Sequence, residues 1–155
     1  MGDLKLTSSD FSDGGEIPRE CGYKNGNRAP RLKWNSWDAF PDGIRWPTSF
    51  ALIMDDPDAM EAVGKVWVHW VLWDIMASDG PLSNSFQVCK WGMTDFGEVG
   101  YGGPAPPDKR HTYVFKLYAL DTSLDLPDKS TKVDVEKAME GHIVDLATLT
   151  GTYAP

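Results

Sequence analysis

The sequence predicts a mainly β protein, an antiparallel β core with a helix packed at its edge. Three observations carry this. Glycine (15) and proline (11) are plentiful and spread out, cutting the chain into short apolar runs, the pattern of strands joined by turns rather than of a helical bundle. The two strongest runs, Val66–Ile75 (VWVHWVLWDI) and Tyr113–Leu120 (YVFKLYAL), are dominated by β-branched and aromatic residues, which suit a pleated surface. A helical pattern comes late, over Val133–Ala147, and strands first with a helix last favour segregated layers.

Taken in order, Leu4–Thr7 alternates and predicts a strand, and residues 10–30, rich in Gly, Asp, Asn and Pro, predict loop. Arg31–Trp34 predicts a short strand ending before a turn at Pro41-Asp42-Gly43. Ser49–Met54 (SFALIM) is an apolar strand bounded by Pro47 and an acidic cluster. Val66–Ile75 is apolar on both alternating faces, as in a strand buried on both sides; strict alternation puts His69 on one face with Trp67, Val71 and Trp73. Residues 77–110 predict mostly loop, with a strand near Gln87–Lys90, and Asp121–Lys129 follows the Tyr113–Leu120 strand as loop. In the Val133–Ala147 helix, Val135, Ala138, Met139, His142 and Ile143 share one face. Thr131 with Asp134 resembles a capping box, Gly141 is a point where the helix kinks or splits, and His142 reads as a satisfied core or interface histidine.

The 155 residues predict one domain, 1–155. Lys and Arg number 15 against 23 Asp and Glu, a formal charge of -8, which argues against nucleic acid and anionic lipid surfaces as partners. No apolar run reaches the roughly 18 residues of a membrane helix, and the N-terminus lacks the apolar stretch of about 7–15 residues of a signal peptide; a cytoplasmic protein without membrane insertion is expected. Cys21 and Cys89 fit no zinc spacing, and one bridge between them stays open. The seven tryptophans read as core and pocket wall, with a homodimer surface left open for any that are exposed.

Several polar residues do not suit a plain core. His69 lies mid-strand, where a buried ring costs free energy unless its nitrogens are bonded. It reads either as a core histidine on a backbone carbonyl or as part of a pocket floor. In DDPDA, the carboxylates of Asp55, Asp56 and Asp58 crowd one strand end, which Pro57 stops. They read as a solvated turn, or as a carboxylate turned inward to hold an imidazole. In GYGGPAPPDKRHTY, His111 and Tyr113 face the same way on an extended chain. Glycines there let backbone N–H groups approach a ligand, and prolines stiffen the wall. P-loop, dinucleotide, GxSxG and HExxH motifs are absent from the sequence, so no cofactor is expected. A two-His, one-carboxylate metal site from His69, His111 and Asp56 is a minor alternative.

These motifs, DDPDA, VWVHWVLWDI, GYGGPAPPDKRHTYVFKLYALD and AMEGHI…GTY, with IPRECGYKNGNRAPRLKW before them, resemble the phosphatidylethanolamine-binding protein family, also called the Raf kinase inhibitor protein family. The short C-terminus is similar to bacterial and archaeal members. The resemblance implies a two-sheet antiparallel β-sandwich-like fold with one or two peripheral helices. It implies a small anion pocket for phosphate-like groups on a phospholipid head group, a phosphomonoester or a phosphorylated partner, and regulation of a protein kinase or protease. It assigns ligand binding to Asp56, Trp67, His69, Gly103, Pro104, Pro106, His111 and Tyr113, with Pro57, Asp58 and Arg110 in support. His69 and His111 would donate to anion oxygens, helped by backbone N–H groups near Gly103, and Asp56 would orient one ring. Thr112 stands where the family has arginine, so Arg110 is expected to take its ion-pairing role, and Met60 stands where proline is usual. A non-catalytic binding protein is the first reading. A hydrolase of small phosphoesters or esters using the His/Asp pocket is the alternative.

Overall fold

The computed structural model describes residues 4–35, 47–76, 80, 81 and 89–155. Its elements in chain order are β1 (Leu6–Ser8), β2 (Gly15–Glu16), a 3-10 turn at Arg19–Cys21, β3 (Leu32–Trp34), β4 (Ser49–Asp56), α1 (Ala59–Val63), β5 (Trp67–Met76), β6 (Gly80–Pro81), β7 (Lys90–Trp91), β8 (His111–Leu120), α2 (Lys132–Met139) and β9 (Ile143–Tyr153). They form a three-stranded sheet, β1-β3-β6, and a six-stranded sheet, β2-β9-β8-β4-β5-β7. The pairings are antiparallel except that of β2 with β9, which is parallel.

The apolar character of β4 and β5 follows from burial on both faces. One face of the large sheet packs against the small sheet: Phe50, Leu52, Met54, Trp70, Leu72 and Phe115 join Leu6, Leu32 and Trp34 in one core. The other face packs under α2, where Ala51, Ile53, Val71 and Trp73 meet Val135 and Met139. Every residue of β4 is buried.

The structure corrects the predicted C-terminal helix. Helix α2 stops at Met139, and Gly141, at φ +80°, turns the chain into a left-handed conformation that glycine adopts without strain. The residues beyond form β9, the longest strand, with 11 residues. Ala147, Leu149 and Tyr153 face inward, alternating with β-branched Thr148, Thr150 and Thr152, and β9 pairs with β8 from Leu120↔Ile143 to His111↔Tyr153. Tertiary pairing decided a segment whose local spacing also suits a helix. The predicted helix start holds: Thr131 and Asp134 form a reciprocal capping box. His142 is exposed rather than in the core, its Nδ1 2.7 Å from Asp121 Oδ1.

The loop expected over residues 10–30 contains β2 and the 3-10 turn. The predicted turn at Pro41–Gly43 lies outside the described residues, as do Gln87 and Val88 of the predicted Gln87–Lys90 strand, whose last residue, Lys90, begins β7. Both cysteines are free thiols. Among the described residues no helix is long and apolar enough to cross a membrane.

Candidate ligand-binding site

The end of β4 is not a solvated acidic turn, because each carboxylate has a partner. Asp55 accepts from Lys132 Nζ at 2.7 Å. Asp56 faces His111 Nδ1 at 2.6 Å. Asp58 accepts the Thr112 backbone N–H at 2.8 Å and tethers the start of β8. Pro57 ends the strand between them, and the Asp58 N–H returns to Asp56 Oδ1 at 3.0 Å.

His69 reaches the site through an irregularity in β5. Met54 pairs with Trp70 and Asp55 with Val68, so His69 is an extra residue opposite β4. Such a bulge re-aims a side chain. Val71 and Trp73 belong to the core under α2, whereas the His69 ring meets Tyr113, a member of the inter-sheet core, edge-on at 5.2 Å. The predicted common face of His69, Val71 and Trp73 is therefore corrected. His69 Nδ1 donates to the Gly102 carbonyl at 2.6 Å, and the Gly102 N–H donates back to the His69 carbonyl at 2.8 Å. Burial holds His69 below the ordinary histidine value, only partly countered by the Gly102 bond. The neutral ring then carries a lone pair on Nε2, an acceptor rather than the expected donor.

His111 behaves oppositely. It is fully buried, with Nδ1 2.6 Å from Asp56 Oδ2 and Nε2 2.7 Å from Asp108 Oδ1. Both partners are carboxylate oxygens, which accept, so both ring nitrogens donate, the hydrogen-bond pattern of an imidazolium. Burial pushes its pKa down, but the bonds to Asp56 and Asp108 outweigh burial and raise it. Tyr113, two residues along the same face, is also fully buried. Asp56 and Ala105 lie beside its phenol, yet the hydroxyl makes no hydrogen bond of good geometry. Burial above all, and then Asp56, raises its pKa, so it stays a neutral donor.

Asp56, His69, His111 and Tyr113 converge on a cavity of about 160 Å³. Trp67 and Phe96 give it an aromatic wall, Ala59, Ala62 and Val63 of α1 an aliphatic one, and Ala105 with Pro107 close the side. Of the eight predicted ligand-binding residues, Asp56, Trp67, His69, His111 and Tyr113 line it. Three do not. Pro104 and Pro106 face a neighbouring cleft that also contains Arg19 and Lys24. The Gly103 N–H is spent on Asn27 Oδ1 at 2.7 Å. Gly103 serves packing instead: a Cβ there would lie 2.0 Å from the Cys21 carbonyl oxygen, so only glycine lets the loop press against residues 21–27. Arg110 is exposed and pairs with Glu16 at 3.1 Å, an ion pair between β2 and the loop leading into β8. Among the described residues no group of three His, Cys, Asp or Glu side chains is arranged to hold a metal ion.

Two contributors were missed by sequence reasoning. Phe96 sits in a stretch read as loop and is held by stacking on Tyr23, ring centroids 4.1 Å apart, a contact invisible from local pattern. Asp108 had a weak signal, a carboxylate three residues before a histidine that opens a strand.

A mostly apolar cavity with a few convergent polar groups is the usual form of a small-ligand site. The chain belongs to the phosphatidylethanolamine-binding protein family, whose profile matches residues 7–154. It is 40% identical over 157 residues to a UPF0098 protein of Methanothermobacter thermautotrophicus, covering 97% of this chain and 98% of that one. A UPF0098 protein of Chlamydia trachomatis is 35% identical over 97% of this chain and 98% of its own. Among solved structures, a phosphatidylethanolamine-binding protein homologue from Chlamydia trachomatis superposes with a TM-score of 0.83 at 33% identity, covering 99% of this chain and 98% of that one. Escherichia coli YbcL, a new member of the mammalian phosphatidylethanolamine-binding protein family, gives 0.80 at 28% identity, with 97% of both chains covered. The two-sheet fold and the family expected from the motifs are thus shown.

Proposed function

We propose that this protein is a non-catalytic binding module that seats a phosphate-like head group in the His69–His111–Tyr113 cavity. The observation that carries the reading is the Tyr113 hydroxyl, buried beside Asp56 and Ala105 without a hydrogen bond of good geometry, next to the buried His111 ring. An unsatisfied buried donor costs about 1–3 kcal/mol, and an oxyanion supplies the acceptor. His111 contributes positive charge, Tyr113 a hydrogen bond, and the His69 Nε2 lone pair receives the proton of a singly protonated phosphate-like group. Among the described residues the cavity lining holds no serine, threonine, cysteine or lysine, which favours binding over nucleophilic chemistry. Whether the head group arrives free, on a lipid or on a phosphorylated kinase or protease partner, the chemistry recognised is the same.

Calorimetric titration with inorganic phosphate and phosphoethanolamine tests this, with sulfate and chloride at matched ionic strength as controls. Saturable binding weakened in both Tyr113→Phe and His69→Ala is expected. Heats that never saturate, or saturate unchanged in both variants, would overturn the assignment.

A further inference from the structure

Pro104 and Pro106, which do not line the His69–His111–Tyr113 cavity, line a cleft of about 310 Å³ together with Arg19 and Lys24. Ala105 and Pro107 line both spaces, so one crest of backbone divides them. We propose that this cleft is a second anion subsite, and that the ligand carries a further acidic group, beyond its phosphate-like head, which crosses the crest to reach Lys24 and Arg19. The inference deepens the head-group reading and rests on it.

Charge singles out this cleft. Acidic residues outnumber basic ones by 23 to 15, and other exposed cations are matched: Lys65 with Asp95, Lys109 with Glu61 and Arg110 with Glu16. Among the described residues, the Lys24 ammonium has no hydrogen bond or ion pair. The Arg19 guanidinium meets no carboxylate; it lies 4.1 Å from the centre of the Tyr153 ring and donates through Nη1 to the Ala154 carbonyl at 2.8 Å. No Asp or Glu side chain is among the described residues that line the cleft. A guanidinium and an ammonium together carry many N–H donors and accept nothing, so an anion is the missing partner. Both cations stand on anchored backbone. Tyr153 is buried, and its hydroxyl accepts from Asn25 Nδ2 at 2.7 Å and donates to the Arg19 carbonyl at 2.8 Å, a fixed base under the guanidinium. The Tyr23 N–H donates to the Pro104 carbonyl at 2.9 Å, and the Asn25 and Asn27 N–H groups close the turn on the Gly22 carbonyl, which fastens the segment around Lys24 to the crest.

The consequence is a length requirement. Groups on opposite sides of one extended chain lie about 10 Å apart, twice the ~4.8 Å spacing of neighbouring strands. Ala105 is half-buried and Pro107 exposed, and the proline rings stiffen the crest, so a linker passes over it rather than through it. The ligand class is therefore a phosphate-like head joined by a chain to a second acid. Inorganic phosphate is too short to touch both sides. Once the head is seated, the second contact is made within one complex, which raises the effective concentration of the acid at the cleft. Exposed ion pairs are individually weak and screened by salt, so the gain is modest and falls with ionic strength.

The experiment uses octylphosphonate and phosphonooctanoate, which share a phosphonate head and an alkyl chain and differ in the terminal carboxylate, with phosphonoacetate as an acid too short to cross. Each is titrated calorimetrically into wild type, Lys24→Gln, Arg19→Gln and Lys137→Gln, the last an exposed cation of α2 that controls for net charge. We expect phosphonooctanoate to bind wild type about five- to tenfold more tightly than octylphosphonate at low salt, and this gap to shrink as salt rises. The gap should close to within about twofold in Lys24→Gln, narrow in Arg19→Gln, and persist in Lys137→Gln. Phosphonoacetate should bind Lys24→Gln as it binds wild type. Equal wild-type affinities for the two octyl probes, with octylphosphonate still weakened by His69→Ala, overturn the second subsite and leave the head-group site standing. A gap that survives both cleft substitutions, or closes as far in Lys137→Gln, also overturns it, as does an equal loss of phosphonoacetate affinity in Lys24→Gln, which assigns the effect to the general field. No saturable binding of any probe or of inorganic phosphate, with melting profiles showing folded protein, overturns the head-group site and the subsite together.

Discussion

Replacing Tyr113 with phenylalanine should make the ligand-free protein more stable and the complex weaker. The Tyr113 side chain is 0% exposed and its hydroxyl is without a hydrogen bond. Burying such a group costs about 1–3 kcal/mol relative to a satisfied one. Phenylalanine keeps the ring and its edge contact with His69 at 5.2 Å and removes only the oxygen. Water entering the cavity offsets part of the cost in the wild type, at an immobilisation penalty of up to about 2 kcal/mol. The net gain expected for Tyr113→Phe is therefore about 1 kcal/mol, a rise in Tm of roughly 2–4 °C for a chain of this size. Binding moves the other way: losing one hydrogen bond to a charged acceptor, about 1.5–3 kcal/mol, weakens phosphate about 10- to 100-fold. Urea denaturation and calorimetry on the same preparations read both numbers. Destabilisation by more than about 1 kcal/mol would show that the hydroxyl is bonded within the folded chain, and unchanged phosphate affinity would remove it from the site.

Other outcomes follow from the same geometry. His111→Leu leaves the buried Asp56 carboxylate without its partner, and a broken buried pair costs about 3–5 kcal/mol; a urea midpoint close to wild type would contradict the assigned charge state. Asp56→Asn should weaken phosphate binding although it removes a negative charge, because the imidazolium loses its buried counter-ion, and tighter binding would refute this. Because the folded pKa of His111 is raised, its contribution to stability is full below the unfolded value of about 6.5 and is lost as pH rises through the folded value. The stability gap between wild type and His111→Gln should narrow from about pH 6 to pH 9, and a gap that widens would exclude a raised pKa. Gly103→Ala forces a Cβ against the Cys21 carbonyl oxygen at 2.0 Å. It should cost about 3 kcal/mol without touching any cavity-lining side chain, and a neutral effect in thermal denaturation would contradict the close approach.

The site was legible where polarity conflicts with pattern. A histidine within an apolar strand, a cluster of carboxylates at a strand end, and a histidine and tyrosine two apart all declared themselves, because each is costly unless it has a purpose or a partner. Strands β4, β5 and β8 were legible for the complementary reason: burial on both faces leaves an unbroken apolar run. What stayed hidden depends on partners distant in sequence. The bulge at His69 is set by β4, so alternation along β5 alone assigned its face wrongly. Strand β9 has helix-compatible spacing and becomes a strand by pairing with β8 after Gly141 turns the chain. Gly103 looked like a ligand-facing glycine until residues 21–27 came to lie against it, and Asp108 gained its meaning only from the ring it touches.

The parallel pairing of β2 with β9 has a consequence for how the binding site comes into being. Gly14 and Ile17 donate to the carbonyls of Thr150 and Thr152, so the N-terminal segment is fastened to the last strand. That same segment, through Cys21, Tyr23 and Asn27, backs the Gly103 loop and stacks on Phe96. During synthesis the early residues wait for their partner until residues 143–153 emerge, and such non-local closure is slow. The cavity is thus among the last parts of the molecule to be completed, so ligand binding should appear only when the full chain has been released, as a late report that folding has finished.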